Sequence, residues 1–187
     1  VAEAREEKAS WRAIARAIPP ATPQESGQVA ECVVEVLKRN DWTVVLTFLA
    51  IPGEVDLKAI NRVLGLSLVV TRTPRHGPLT IHPLTDQLEF HSFGYLQPRE
   101  DSPQIDPGSI DAVLVPGVLF AIDGGRLGHG KGYYDRLLSS LHRRPYSIGV
   151  TLDRRVVERL PMTDSDVYVD GIATESGFRE AVACAPS

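Results

Sequence analysis

A chain of 187 residues with 43% hydrophobic and 24% charged side chains has room for one substantial core and the balance of an ordinary globular domain. Its net charge of −4 excludes a general binder of nucleic acid or anionic membranes, although not a local basic patch. Cys32 and Cys184 match no metal or redox spacing, no run has the unbroken apolar length of a membrane span, and no charged-then-apolar leader opens the sequence. The expectation is a cytoplasmic, monomeric single domain whose partners are small molecules, with neither nucleic acid nor membrane among them.

Val1 to Ile18 reads as a helix, with Trp11, Ile14 and Ile18 on one face and Glu3, Arg5, Glu6, Glu7 and Lys8 in water. Pro19-Pro20 stops it. Thr22-Pro23-Gln24-Glu25 then supplies an N-cap, a proline at the first helical position and a capping-box glutamate. That second helix runs to Lys38 or Arg39, with Val29, Val33, Val36 and Leu37 inward. Thr43 to Leu49 is a near-continuous apolar run, as in a strand buried on both faces. A turn over Ala50 to Glu54, a helix over Val55 to Leu64 closed by Gly65, and a strand over Ser67 to Thr71 follow.

From about 73 to 107 the chain is rich in Pro, His and polar residues, an irregular insert suited to a ligand lid. Within it, Leu79 to Ile81 is expected to pair with Leu88 to His91. Ile110 to Val115 is the next strand, and Tyr133 to His142 a helix. Tyr146 to Thr151 is a strand, Asp153 to Leu160 a short helix, and the tail from Thr174 is loose or a closing helix. This alternation predicts a three-layer α/β/α single domain with a mainly parallel, Rossmann-like open sheet. Right-handed crossovers would align the loops after Leu49, Val115 and Thr151 on one edge. Glu54, a glycine-rich stretch and Asp166 would then share a cleft.

The glycine-rich stretch lies between the strand at Val115 and the helix at Tyr133. Gly124, Gly125, Gly128, Gly130 and Gly132 allow backbone N–H groups to converge on an anion, and the following helix would point its N-terminus there. Gly125-x4-Gly130-Lys131 fails the P-loop pattern at Gly132, which stands where Ser or Thr should bind Mg²⁺. Gly128-x-Gly130-x-Gly132 is one residue short of a dinucleotide fingerprint. Glycine content alone fits a surface turn as well as a phosphate loop. Arg126, Lys131 and Asp135, a candidate magnesium ligand, tip the balance towards phosphate.

Pro116-Gly117 and Arg126-Leu-Gly-His-Gly-Lys-Gly-Tyr-Tyr-Asp135 resemble the signature of the 5-formyltetrahydrofolate cyclo-ligase (methenyltetrahydrofolate synthetase) family. The resemblance extends from Lys8 to Asp170 and is faintest from Thr73 to Pro107. Lys8-Ala-Ser-Trp-Arg12 is similar to the family's K-x-x-L-R, with Trp11 at the leucine, whereas its spacing alone describes only a solvated helical face. The resemblance implies that Lys8 and Arg12 reach the nucleotide phosphates and the substrate. It extends the ATP site over Arg126, Leu127, Gly128, His129, Gly130, Lys131, Gly132, Tyr133 and Tyr134. Folate contacts are implied at Leu49, Glu54, His129, Gly130, Lys131, Gly132 and Tyr133, although either tyrosine could be a core aromatic. For Glu54 the residues alone leave open a first-turn carboxylate that favours a helix dipole.

Arg72 matches an arginine that follows a strand, with Thr71 at a usual proline. Gly94-Tyr-Leu-Gln-Pro98 resembles G-x-x-E-P, but Gln97 replaces the glutamate. Leu160-Pro-Met-Thr-Asp-Ser-Asp166-Val-Tyr-Val-Asp170 matches a segment whose first aspartate is a second Mg²⁺ ligand, here Asp166 beside Asp135. No histidine-based zinc pattern or G-x-S-x-G elbow is present, so cations, carboxylates and glycines remain, the tools of phosphoryl transfer. The resemblance implies ATP- and Mg²⁺-dependent conversion of 5-formyltetrahydrofolate to 5,10-methenyltetrahydrofolate, with Lys131 and Arg126 as the catalytic cations. The alternative of another class is a catalytically idle nucleotide- or folate-binding homologue, which Gln97 favours.

Overall fold

The structure, a computed structural model, describes residues 2–63, 65–92, 94–141 and 143–182. Val1, Leu64 and His142, expected at the ends of helices, and Cys184 lie outside the described residues. Helix α1 (Ala2–Arg16) comes first, then α2 (Pro23–Lys38), whose start is the expected capping box: Thr22 accepts from Glu25 N–H and Glu25 from Thr22 N–H. Strands β1 (Val44–Thr47), β2 (Ser67–Arg72), β6 (Ala112–Pro116), β9 (Tyr146–Val150) and β11 (Gly171–Thr174) pair in parallel in the spatial order β2-β1-β6-β9-β11. Antiparallel strands β3 (Thr80–Pro83) and β12 (Gly177–Glu180) close the two edges.

Successive residues of the parallel strands feed opposite faces, which explains their continuous apolarity. Val45, Ala112, Leu114, Ile148, Val150 and Ala173 join α2 in one core. Leu46, Val113, Val115 and Ile172 join Leu137 and Leu138 of α3 (Tyr133–Ser140) in the other. The result is the expected three-layer α/β/α domain. Its parallel strands, in chain order, lie as 2-1-3-4-5, so the direction of winding reverses between β1 and β6. In open sheets of this order, ligands bind beyond the strand ends at that reversal.

Several local expectations change. Only Lys58–Arg62 of the segment after β1 is helical, as a 3-10 turn. Val55, Leu57 and Ile60 all pack into the α2 core, and Asp56 N–H is taken by Ser26 Oγ rather than by a helical carbonyl. β3 pairs with β2 rather than with β4 (Leu88–Phe90), which instead joins β5 (Leu96–Pro98). After β9, one 3-10 turn at Asp153–Arg155 gives way to β10 (Val156–Val157), whose β-branched pair extends a small sheet with β7 (Leu119–Ala121) and β8 (Arg126–Leu127). The tail forms β12 because Phe178 seats its ring against Gly171, where a Cβ would come within 2.5 Å of it. Gly117 and Gly149 flank Phe120 in the same way, so this ring locks the small sheet onto β6 and β9.

Candidate functional site

At the reversal point lies a cleft of about 410 Å³. Its walls come from the segments just past three strand ends, Phe48 to Val55 after β1, Pro116 to Val118 after β6 and Val150 to Leu152 at the end of β9. The alignment of loops expected from right-handed crossovers is therefore present. Helix α1 forms the remaining side. Its Trp11 and Ala15, with Ile18 just past its end, pack on Leu119 and Leu127 of the small sheet. This fixes the helix so that Lys8, Arg12 and Arg16, at four-residue spacing and about 6 Å apart along the axis, share one face.

Each residue of that face meets a different part of the site. Lys8 is ion-paired with Asp166, and their side chains are only 14% and 13% exposed. Arg12 Nε donates to the Gly128 carbonyl at 2.9 Å, and its guanidinium faces Gly130, where an added Cβ would lie 3.5 Å from it. Arg16 reaches the cleft. The glycine loop thus rests on α1, 116 residues away in sequence.

Arg126 lies beneath this loop rather than in solvent. Its side chain is 4% exposed, and Nη2 donates to Asp135 Oδ1 at 2.6 Å. Nη1 sits where a Cβ on Gly128 would come within 2.7 Å, so a larger residue there would push the end of the arginine aside. Its Nε is buried with no hydrogen-bond partner. Gly132 caps α3 in the left-handed region at φ +64, placing Tyr133, Tyr134 and Asp135 in the first helical turn. Arg136 covers the Tyr133 ring at 5.2 Å. Tyr134 has a buried, unpartnered hydroxyl, and burial, reinforced by Glu54, pushes its pKa well above the ordinary value.

Across the cleft, Glu54 Oε2 accepts Ile51 N–H at 3.1 Å and Oε1 lies 3.1 Å from His129 Nε2. Val167 N–H reaches Asp135 Oδ1 at 3.4 Å, so the two candidate metal ligands Asp135 and Asp166 are brought into the same neighbourhood. Burial raises the Asp166 pKa, but Lys8 and the Thr163 hydroxyl and N–H outweigh it and hold the carboxylate below its ordinary range. These contacts use Oδ1 of Asp135 and Oδ2 of Asp166. Among the described residues no group of three or more His, Cys, Asp or Glu could hold a metal. Two carboxylates fit Mg²⁺, which takes one or two from protein and completes its octahedron with phosphate oxygens and water.

Not every expected residue faces the ligand space. Leu127 is buried against α1, and Leu49 stands just past β1 outside the cleft wall, which its neighbour Phe48 supplies. Gln97 is buried, accepting Thr73 N–H at 3.1 Å and donating to Glu89 at 3.3 Å, while Glu89 pairs with Arg72 at 2.5 Å. The carboxylate absent from position 97 thus reappears on the neighbouring strand. Sequence reasoning missed Arg16, Phe48, Thr151 and Arg155 in the cleft wall. Arg16 continues the spacing of Lys8 and Arg12, and Arg155 follows a strand end, the signals that could have found them.

Residues 4–175 match the 5-formyltetrahydrofolate cyclo-ligase family. The 5-formyltetrahydrofolate cyclo-ligase of Escherichia coli K12 is 28% identical over 172 residues, 86% of this chain and 94% of that protein. That of Saccharomyces cerevisiae is 38% identical over 91 residues, 45% of this chain and 43% of the yeast protein. The chain spans about two fifths of the length of the nematode, mouse and yeast relatives it matches. The NMR structure of 5,10-methenyltetrahydrofolate synthetase from Aquifex aeolicus superposes with a TM-score of 0.71 at 28% identity, covering 96% of this chain and 92% of that one. With the match running from the helix that carries Lys8 to the last parallel strand, the chain belongs to the 5-formyltetrahydrofolate cyclo-ligase family.

Proposed function

We propose that the chain uses ATP and Mg²⁺ to close 5-formyltetrahydrofolate into 5,10-methenyltetrahydrofolate, releasing ADP and phosphate. The observation that carries this reading is the ring of paired charges from remote segments, Lys8 with Asp166, Arg126 with Asp135 and His129 with Glu54, around one glycine loop beside the cleft. The names of the Escherichia coli relative and the Aquifex structure support the same reaction. An amide-like formyl oxygen is a poor leaving group. Transfer of the γ-phosphoryl group to that oxygen corrects this. The N10 amine then attacks the activated carbon, the C–O bond breaks as phosphate departs, and the N10 proton passes to solvent.

Such chemistry depends mainly on positioning and on neutralising charge. Lys131, Lys8 and Arg12 would meet the triphosphate, with the backbone of Gly128 to Gly132 against its oxygens. Arg126, buried beneath the loop, holds Asp135 in place and adds positive potential from below. Asp135 and Asp166 would hold Mg²⁺, which screens the phosphate oxygens. Glu54 and His129 would orient the reduced folate, with Tyr133 beside them. Gln97, which had favoured an idle homologue, has a structural role beside Arg72 and Glu89. The test is incubation with 5-formyltetrahydrofolate, ATP and Mg²⁺ while following methenyl absorbance. A rise that requires all three supports the reading, and a flat trace from folded protein refutes it.

A further inference from the structure

Of the ion pairs just described, Lys8 with Asp166 and Arg126 with Asp135 lie outside the cleft wall. Its wall includes Arg12, Arg16, His129 and Arg155, and its sole carboxylate, Glu54, already contacts His129 and Ile51 N–H. Arg155 differs from its neighbour Arg154. Arg154 Nη1 and Nη2 meet Glu25 at 2.5 and 3.1 Å. Arg155 is half-buried and held by neutral groups, with Nη1 donating to Val118 O at 3.1 Å and Nη2 to Ile18 O at 3.2 Å. Burial and the adjacent Arg154 both disfavour its charge, and Glu54 offsets them only in part. Two carbonyls orient this guanidinium without neutralising it. Arg16, on the facing helix, is exposed and lines the cleft. The surrounding wall is apolar, with Phe48, Val55 and Leu152. A ligand that fits here has an apolar body and an anionic end.

Resting on the function proposed above, we propose that Arg155, aided by Arg16, binds a carboxylate of the folate's glutamate tail and so sets the preference for glutamate-bearing folates. Of the cations assigned to the triphosphate, Lys8, Arg126 and Lys131 do not line this cleft, and Arg12, which does, is turned to the glycine loop at Gly128, so Arg155 and Arg16 stand apart from them. A reduced folate matches the rest of the wall, because its benzoyl ring is flat with apolar faces, its pterin edge carries N–H donors that Glu54 can accept, and its glutamate is dianionic. Oriented by two carbonyls, Arg155 meets the carboxylate with little further loss of side-chain freedom.

The experiment compares Arg155→Gln and Arg155→Lys with the wild type on three ligands: 5-formyltetrahydrofolate, its pteroate analogue lacking glutamate, and ATP. Arg155→Gln is expected to raise KM for the full substrate about tenfold, the loss of one hydrogen bond between charged groups. KM for the pteroate analogue and for ATP should stay within about twofold, and Arg155→Lys should recover part of the loss. Equal losses on both folates would mean that Arg155 only holds Ile18 and Val118 in place, and would overturn the proposal. A rise confined to ATP would overturn it by making the bound anion a phosphate. An unchanged KM for the full substrate would also overturn it. If the wild type neither binds nor converts any folate, the reading of the whole site fails and this assignment with it. Normal wild-type turnover with an indifferent Arg155 removes the assignment alone.

Discussion

The two edges of the main sheet carry similar residues in opposite circumstances. At the edge where the parallel strands begin, Asp111 accepts from Thr43 N–H, the Thr43 hydroxyl and Val44 N–H at 2.9, 3.0 and 3.0 Å. There too Asp170 holds Ser147 N–H, the Ser147 hydroxyl and Arg144, at 2.8, 2.6 and 2.8 Å. These carboxylates staple neighbouring strand ends together, and each faces backbone donors that must be satisfied. At the edge where the strands end, the carboxylates accept backbone N–H groups too, Asp166 from Thr163 and Asp135 from Val167, but each is also paired with a side-chain cation from a remote segment. Under the proposed function Lys8 and Asp166 would exchange partners with an incoming phosphate and metal while Arg126 stays beneath Asp135, whereas a backbone staple cannot be released without opening the sheet. Charge that holds the fold bonds to the main chain, and charge available to a ligand is balanced by another mobile charge.

The sharpest break of that comparison comes from Asp135 and Lys131. Removing one donor that stabilises a transferring group typically costs ~3 kcal/mol, roughly a hundredfold in rate. Lys131→Ala should show that loss without rescue by metal and with an unchanged Tm, since its side chain is exposed. Asp135→Asn should lose as much, regain part at high Mg²⁺, and also lower the Tm, because the buried Arg126 is left without its carboxylate. Steady-state rates across a Mg²⁺ series, beside thermal melts, check both variants. Near-normal rates in both would remove the exchangeable-charge reading. Glu54→Gln should have a smaller effect, about tenfold on the folate KM, with ATP binding unchanged. Altered ATP affinity with normal folate kinetics would reassign it.

The sheet was legible because its information is local. Thr22-Pro-Gln-Glu25 spells its own cap, and the apolar runs of β1, β6 and β9 announce burial on both faces. The alignment of loops at one end of the sheet followed from the alternation of elements, and with it the meeting of Glu54 and the glycine stretch, seen between Glu54 and His129 across 75 residues. The small sheet was not legible. Two-residue strands such as Arg126–Leu127 and Val156–Val157 have no periodicity, and their sheet is seated by Phe120 against Gly117, just past β6, and Gly149 of β9. For the same reason nothing in the sequence showed that the loop folds over Arg126. The sequence motif placed Arg126 in the site, but only the packing assigns it a position beneath the loop.

Asp111 offers the converse test, at the edge where charge serves the fold. The Val44 and Thr43 N–H groups hold its pKa below the ordinary carboxylate value. Asp111→Ala should destabilise the protein by about 1–2 kcal/mol through unmet strand-end donors, and leave KM for folate and ATP as they were. Urea unfolding and kinetics on the same preparation decide the matter. A changed KM with unchanged stability would erase the distinction between the two edges.

The smallest effect concerns Arg154 and Arg155, which set the same contrast within two adjacent residues. Glu25 caps α2 and binds Arg154; the arginine first, then the Thr22 N–H and hydroxyl, lower its pKa from 4.5 to about 2. A carboxylate depressed in the folded state contributes stability above its unfolded pKa and loses it as pH falls through the folded value. The contribution of Glu25 is therefore complete above about pH 4.5 and fades towards about pH 2. Glu25→Gln should lie below the wild type in urea midpoint at neutral pH, and the two curves should converge across that acid window. The gap should be modest, since the pair is at the surface and screened by salt. Folate KM should not move, because Arg154 faces Glu25 and the Pro19 and Pro20 carbonyls rather than the cleft. If instead Glu25→Gln raises the folate KM as much as Arg155→Gln, both arginines serve the ligand, and the separation between charge for the fold and charge for the substrate fails at its finest grain.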